Sequence, residues 1–361
     1  MSETNRMVVL PDRPGARPRP DRAIGEDVFE LREAALAPLA RGEVRLRNIY
    51  LSLDPYMAAY MLGEHPLETP IEARVVSQVV ASNNPALAEG DLAWGFFGWE
   101  DYTTLPASLR DRKGYAVLDN KIDPEAWPEG RPLSDAISVL GMPGLTAYVG
   151  VVDIGRVKAG ETLFVSSAAG ALGQVAGQIG KIKGARVVGS AGSEAKVAHV
   201  LSLGFDAAFN YKTAAGGIEA ALREHCPDGI DVYFDNVGGE TLDAVLLCLN
   251  EHARVPLCGM ISTYGTATPH RIGNLFMTVR KRATLTGFTI YDHFPAKMPA
   301  YRAQMAAWLA AGEVGYQDVI VDGIENTGPA FADMLAGRHG IGKCVIRVGP
   351  DPFMGDQGAT A

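Results

Sequence analysis

The segment LFVSSAAGALGQVAG, residues 163–177, limits what this chain can become more than any other stretch. An apolar run of strand character leads into Ala168-x-Gly170-x-x-Gly173, where helical periodicity begins. Small residues permit a tight turn and let a ligand come close to the backbone. The helix that opens there presents unpaired N–H groups and the positive end of its dipole. Gly177 and Gly180 recur on one helical face, where a strand can pack closely. A strand, a glycine turn and a helix form half of a βαβ unit, so the segment predicts a parallel sheet.

The flanking sequence keeps that rhythm. Strands are expected at 162–167, 186–190, 207–211, 231–235, 253–258 and 284–290. Helices are expected between them at 170–183, 193–203 (capped by Ser193), 217–225 and 240–249. Such alternation makes an α/β fold, a doubly wound parallel sheet with helices on both faces. Upstream the character differs. Residues 44–47 alternate apolar and charged, 73–81 are apolar, and 91–104 are rich in aromatics, as in short strands of a small β-rich domain. A helix at 300–311 and a strand at 343–348 follow, and the late strand is expected to return to the first domain. The predicted organisation is a β-rich domain over 1–138, a parallel-sheet domain over 139–298, and a segment 299–361 that rejoins the first. A length of 361 residues suits two domains.

Charge and composition exclude several partner classes. The 33 Lys and Arg against 42 Asp and Glu leave a net charge of −9, which opposes nucleic acid or an anionic membrane as partner. That acidity is uneven, because residues 141–300 hold 14 basic and 13 acidic side chains, so the region of the glycine turn is close to neutral. The uncharged stretch 162–180 contains Ser, Gln and glycines, too polar for a membrane span. Residues 1–22, with Pro11, Pro14, Pro18 and Pro20, are expected to form an extended arm, not an apolar leader. Cys226, Cys248, Cys258 and Cys344 occur singly, without C-x-x-C spacing, and fit a reducing cytoplasm.

A dinucleotide pyrophosphate suits the turn at Gly170–Gly173; the competing explanation is close helix–sheet packing without a ligand, and the βαβ context favours the ligand. The second strand runs into Gly189-Ser-Ala-Gly-Ser193, where an NAD-binding chain would place an acid on the ribose. The first charges are Glu194 and Lys196. Lys196 suits a 2′-phosphate, although a solvated helix lysine is the alternative, and Tyr211 and Lys212 offer a hydroxyl and a second cation. NADP is therefore favoured over NAD.

Further motifs are specific: YLSLDPYM (50–57), GMPGLTAY (141–148), GSAGSEAKV (189–197), GFD (204–206), FNYK (209–212), FDNVGG (234–239) and CGMISTY (258–264). With these the chain resembles the medium-chain dehydrogenase/reductase superfamily, in its zinc-independent branch of prostaglandin reductases, plant double-bond reductases and bacterial curcumin reductase. The resemblance implies a GroES-like β-rich catalytic domain and a Rossmann cofactor domain. It implies NADPH as donor and an enone or enal as substrate, with hydride delivered to the β-carbon. It places cofactor contacts at Gly170, Ala171, Leu172, Gly173, Lys196, Tyr211, Asn236, Cys258, Gly259, Ser262, Tyr264, Phe288, Thr289 and Ile290, and it implies a homodimer. An Asn that relatives carry before the last Gly-Lys strand is absent from 338–343.

Zinc-dependent members of the superfamily have an early Cys followed by Gly-His-Glu. This chain has no Cys before Cys226, and His65 precedes Pro66, so no metal is expected. An enolate oxygen then needs a donor, which a protein hydroxyl or the cofactor's ribose hydroxyl can supply. Tyr264 is the leading catalytic candidate, with a pocket-wall aromatic as its alternative and water as the other proton source. Tyr56, after the Asp54-Pro55 turn, is the second, with a barrel-core tyrosine as its alternative. An NADPH:quinone reductase and a non-catalytic NADPH-binding protein are the competing functions.

Overall fold

In the computed structural model, which describes residues 4–14, 24–264, 268–294 and 296–354, strand β1 (Thr4–Val9) pairs antiparallel with β2 (Glu30–Ala35). The described start of the expected arm is thus a paired strand, while residues 15–22 lie outside the described residues. Next come β3 (Val44–Ser52), helix α1 (Met57–Gly63), β4 (Glu72–Ser82), β5 (Leu92–Gly98), β6 (Tyr102–Leu105) and β7 (Lys121–Ile122). Strand β3 pairs antiparallel with β4 and β6, and β5 with β4 and β7. Every residue of β5 is buried, and the aromatic run Trp94, Phe96, Phe97 and Trp99 is core. Each such ring contributes about 2–3 kcal/mol by leaving water.

The second part opens with α2 (Met142–Tyr148), then β8 (Thr162–Val165), α3 (Gly173–Ile182), β9 (Arg186–Ala191), α4 (Glu194–Ser202) and β10 (Ala207–Asn210). It continues through α5 (Gly217–His225), β11 (Ile230–Phe234), α6 (Gly239–Cys248), β12 (Leu249–Leu257), α7 (Met277–Lys281), β13 (Thr284–Gly287) and α8 (Met298–Ala310). Its six strands are parallel, in the order β10-β9-β8-β11-β12-β13. Phe164, Val188, Tyr233, Leu246 and Val255 form a fully buried core on this sheet. The strand order reverses at β8, the switch point outside which open α/β sheets bind ligands.

The chain then adds β14 (Asp318–Asp322), α9 (Thr327–Leu335) and β15 (Lys343–Arg347). Strand β15 lies antiparallel to β3, with Val345 opposite Ser52 and Arg347 opposite Tyr50, so the late strand does return to the first sheet. The chain divides into one unit of Met1–Ile137, Val319–His339 and Cys344–Ala361, and another of Ser138–Asp318 and Gly340–Lys343.

Two expected elements are corrected. The helix read from residue 170 begins at Gly173, because 170–172 complete the turn. The strand read over 284–290 stops at Gly287, and a short 3-10 turn occupies Ile290–Asp292.

Candidate functional site

Residues singled out by sequence gather at the carboxyl ends of the parallel strands. After Val165 the chain turns through Ser166 and Ser167, the latter in the left-handed region at φ 53°. The Ala168 N–H donates to Ser190 O at 2.9 Å and the Gly170 N–H to Ser167 O at 3.0 Å, tying the turn to β9 and to itself. Ala171 lies within the parallel bridge that joins Gly170 to Gly342, whereas the N–H groups of Leu172 and Gly173 have no acceptor among the described residues. Two open amides at the start of a ten-residue helix fit a pyrophosphate. A Cβ on Gly173 would stand 2.3 Å from Ser167 O, so only glycine lets α3 start this close to the turn. Alanine at the first motif position is accommodated from the other side: Ala168 is buried against Gly189, where a Cβ would stand 2.8 Å from its own. The Gly342 N–H donates to Ala169 O at 2.8 Å, so late backbone edges the turn. Sequence reasoning missed Gly342; its signal was the close Gly340-x-Gly342 spacing.

A second cluster forms where β9 and β10 end. Ser193 caps α4 as expected, its Oγ accepting from the Lys196 N–H at 3.3 Å. Over Gly192 lie the Tyr211 hydroxyl and the Lys212 Cε, 3.2 and 3.4 Å from where a Cβ would sit. Burial, and then the charge of Lys212, pull the Lys196 ammonium below its ordinary value. Two cations and a phenol around one turn fit a phosphate, and no acid occupies the end of β9.

The third cluster joins β8, β11 and β12. Asp235 is fully buried, and its Oδ1 accepts from Tyr233 Oη at 2.6 Å and from the N–H groups of Val237 and Gly238 at 2.9 and 2.8 Å. Burial pushes its carboxyl up. Ser166 Oγ accepts from the Asn236 N–H at 3.0 Å, and Asn236 Nδ2 donates to Ser166 O at 2.8 Å. The N–H groups of Cys258 and Gly259 donate to Asp235 O, and Ser262 Oγ donates to Val237 O at 2.6 Å. The turn at Asn236 and the loop from Cys258 to Tyr264 are therefore one bonded unit. Burial, and then the charge of Asp235, push the Cys258 thiol up to about 12, so it stays neutral. Ser166 and Asp235 escaped sequence reasoning. The signal was a carboxylate closing the apolar strand Ile230–Phe234, a place where burial demands partners.

Tyr264 is half-buried, and its phenol oxygen accepts from the Met260 N–H at 3.3 Å. Its own O–H has no acceptor among the described residues. Phe288, Thr289 and Ile290 follow β13; the Phe288 N–H donates to Leu257 O, and its ring lies 3.2 Å from where a Cβ on Gly150 would sit. Tyr56 belongs to the first unit. It heads α1 with 38% exposure while Met57 and Ala58 are buried, so it is not a barrel-core tyrosine.

Among the described residues no three His, Cys, Asp or Glu side chains group as a metal site, and no helix is long and apolar enough to cross a membrane. Residues 171–310 match a family described as zinc-binding dehydrogenase, and residues 16–110 one described as the N-terminal domain of oxidoreductase. The chain is 39% identical to the NADPH-dependent curcumin reductase of Escherichia coli, covering 97% of this chain and 98% of that protein. It is 39% identical to the NADP(+)-dependent 2-alkenal reductase of Nicotiana tabacum, over 86% of this chain and 89% of that one. Among solved structures it resembles CurA of Vibrio vulnificus in complex with NADPH, at TM-score 0.83 and 37% identity over 96% of this chain and 99% of that one. Two motif-bearing clusters around a glycine turn, joined to identity of this level over almost the whole length, place the chain firmly: it belongs to the zinc-independent branch of the medium-chain dehydrogenases/reductases, the branch of the curcumin, prostaglandin and 2-alkenal reductases.

Proposed function

We propose that this protein uses NADPH to reduce the C=C bond of α,β-unsaturated ketones and aldehydes. The observation that carries the proposal is the pairing of open amides at Leu172 and Gly173 with a cationic corner at Lys196 and Lys212. The amides suit a pyrophosphate and the corner a 2′-phosphate. NADPH, when bound, supplies the hydride that the β-carbon of the substrate accepts.

The chain's own residues then bind, orient and protonate. Backbone amides at 172 and 173 hold the pyrophosphate; Lys196 and Tyr211 hold the 2′-phosphate. Asn236, fixed to Ser166, and the loop from Cys258 to Ser262, fixed to Asp235 and Val237, shape the nicotinamide end. As negative charge gathers on the substrate carbonyl oxygen, the Tyr264 O–H donates to it, and a proton reaches the α-carbon from that hydroxyl or from water. The Met260 amide supports this role, because it lies on the acceptor side of the phenol and leaves the O–H uncommitted. Tyr56 is assigned to the substrate side.

The protein works as a cytoplasmic homodimer in this proposal. Strand β13 is an edge of the parallel sheet, and in and just before α7, which packs on β12, Leu275, Phe276 and Val279 are exposed by 53%, 68% and 65%, an apolar surface that a second copy would cover.

The test is oxidation of NADPH in the presence of enones, enals, quinones and secondary alcohols. Turnover of enones and enals with saturated carbonyl products is expected. Turnover of quinones alone would replace this function with quinone reduction, and tight NADPH binding without turnover would make the protein a binding module.

A further inference from the structure

The cationic corner contains an acid that should weaken it. Glu194 opens α4 two residues before Lys196, and it is exposed. A mobile carboxylate there would pair with Lys196 or Lys212 and compete with a phosphate for both. The structure shows what restrains it. Glu194 Oε1 accepts from Asn210 Nδ2 at 2.8 Å and from Thr213 Oγ1 at 3.3 Å. The other end of the same Asn210 amide is also used, since its Oδ1 accepts from the Lys212 N–H at 3.1 Å. One side chain thus holds the carboxylate with neutral donors and fixes the backbone of the lysine that lies over Gly192.

We infer that Asn210 is a positioning residue for cofactor choice: it clips Glu194 to neutral donors and fixes the Lys212 backbone, keeping the carboxylate off the cations that face the 2′-phosphate. The inference rests on the proposed NADPH function and names the device that lets an acidic residue occupy this turn. Thr213 is the second arm of the clip. Asn210 touches no phosphate in this scheme; it acts through Glu194 and Lys212.

The probes are adenosine 2′,5′-bisphosphate and adenosine 5′-monophosphate, titrated by calorimetry into the full chain. Asn210→Ala should weaken the bisphosphate about threefold to fivefold, the scale of an exposed charge interaction, and leave the monophosphate within a factor of about two. Adding Glu194→Gln to that variant should restore the part of the loss due to the released carboxylate, because that side chain no longer carries charge. Thr213→Val should give a smaller loss in the same direction, and it covers the case in which Asn210→Ala folds poorly. Equal weakening of both probes, or no recovery in the double variant, would overturn the inference. Wild-type protein that binds both probes equally would instead overturn the NADPH assignment itself.

Discussion

The backbone N–H of Met260 donates to the phenol oxygen of Tyr264 at 3.3 Å, within a loop whose start is pinned to Asp235. This bond orients the ring and fills an acceptor site of the hydroxyl. The proton of that hydroxyl stays available to whatever oxygen enters the site.

Replacing Tyr264 by Phe removes that donor and leaves the ring. If Tyr264 stabilises the enolate oxygen, kcat should fall about a hundredfold, the usual scale for losing one preorganised donor. The Met260 amide also loses its acceptor, a cost of about 1 kcal/mol in stability. Stopped-flow single turnovers with an enal, beside NADPH titration, separate the two effects. A variant with wild-type single-turnover rate would reduce Tyr264 to a pocket wall.

Lys196→Ala should weaken NADPH about tenfold or more, the scale of a lost charged hydrogen bond, and leave NADH nearly unchanged. The pH dependence carries the same information. Burial and Lys212 lower the Lys196 proton affinity from its ordinary 10.5, so the cation is lost at a less alkaline pH than usual. NADPH affinity should therefore decline as pH rises through that lowered value, while NADH affinity stays level and the alanine variant shows no such decline. Parallel decline for both cofactors would remove Lys196 from the 2′-phosphate.

Asp235 offers a stability measurement. Burial raises its proton affinity above the ordinary 3.8, so the folded chain keeps a proton that the unfolded chain has released. Its contribution is full below that ordinary value and is lost as pH rises through the raised one. Asn cannot release the proton, and its side-chain oxygen can still accept from the Val237 and Gly238 amides. The Tm advantage of wild type over Asp235→Asn should shrink as pH rises above the ordinary 3.8 through the raised value. A difference that stays constant with rising pH would mean that burial does not raise the Asp235 proton affinity.

What the sequence disclosed follows from where side chains carry period or punctuation. The parallel sheet was legible because strands such as Leu163–Val165 stand beside capped or glycine-started helices such as the one at Ser193. Helix α1, MAAYMLG, was not legible, because an apolar run this short shows no polar face. Helix α9 hides behind Gly328 and Pro329, which break helices inside but are tolerated in the first turn where it places them. The turn backbone at 171–173 was readable as a motif, and the motif says little about side chains. The network around Asp235 depends on Ser166, some seventy residues earlier in the chain, a separation no local pattern reports. The clip at Asn210 likewise joins two elements through one amide.

The glycines of α3 separate packing from binding. Gly177 and Gly180 share a helical face, but they meet different neighbours: a Cβ on Gly180 would stand 2.5 Å from Leu163 Cδ2 of β8, and one on Gly177 would stand 1.8 Å from Phe205 Cζ. The Phe205 ring is only 4% exposed and has little room to move. Alanine at 177 gains about 1 kcal/mol of helix propensity. The forced overlap costs about 1–3 kcal/mol, and the buried ring puts it at the upper end, so a net loss of about 1–2 kcal/mol is expected. Gly63, at the end of α1, has nothing within 4 Å of the same atom. Alanine there should stabilise by about 0.5 kcal/mol, mainly by restricting the unfolded chain. Thermal unfolding of the two variants against wild type should move Tm in opposite directions, with the NADPH dissociation constant of the folded Gly177→Ala protein close to wild type. Equal Tm for Gly177→Ala and wild type would show that Phe205 can yield, and that close helix packing is not what requires glycine at 177.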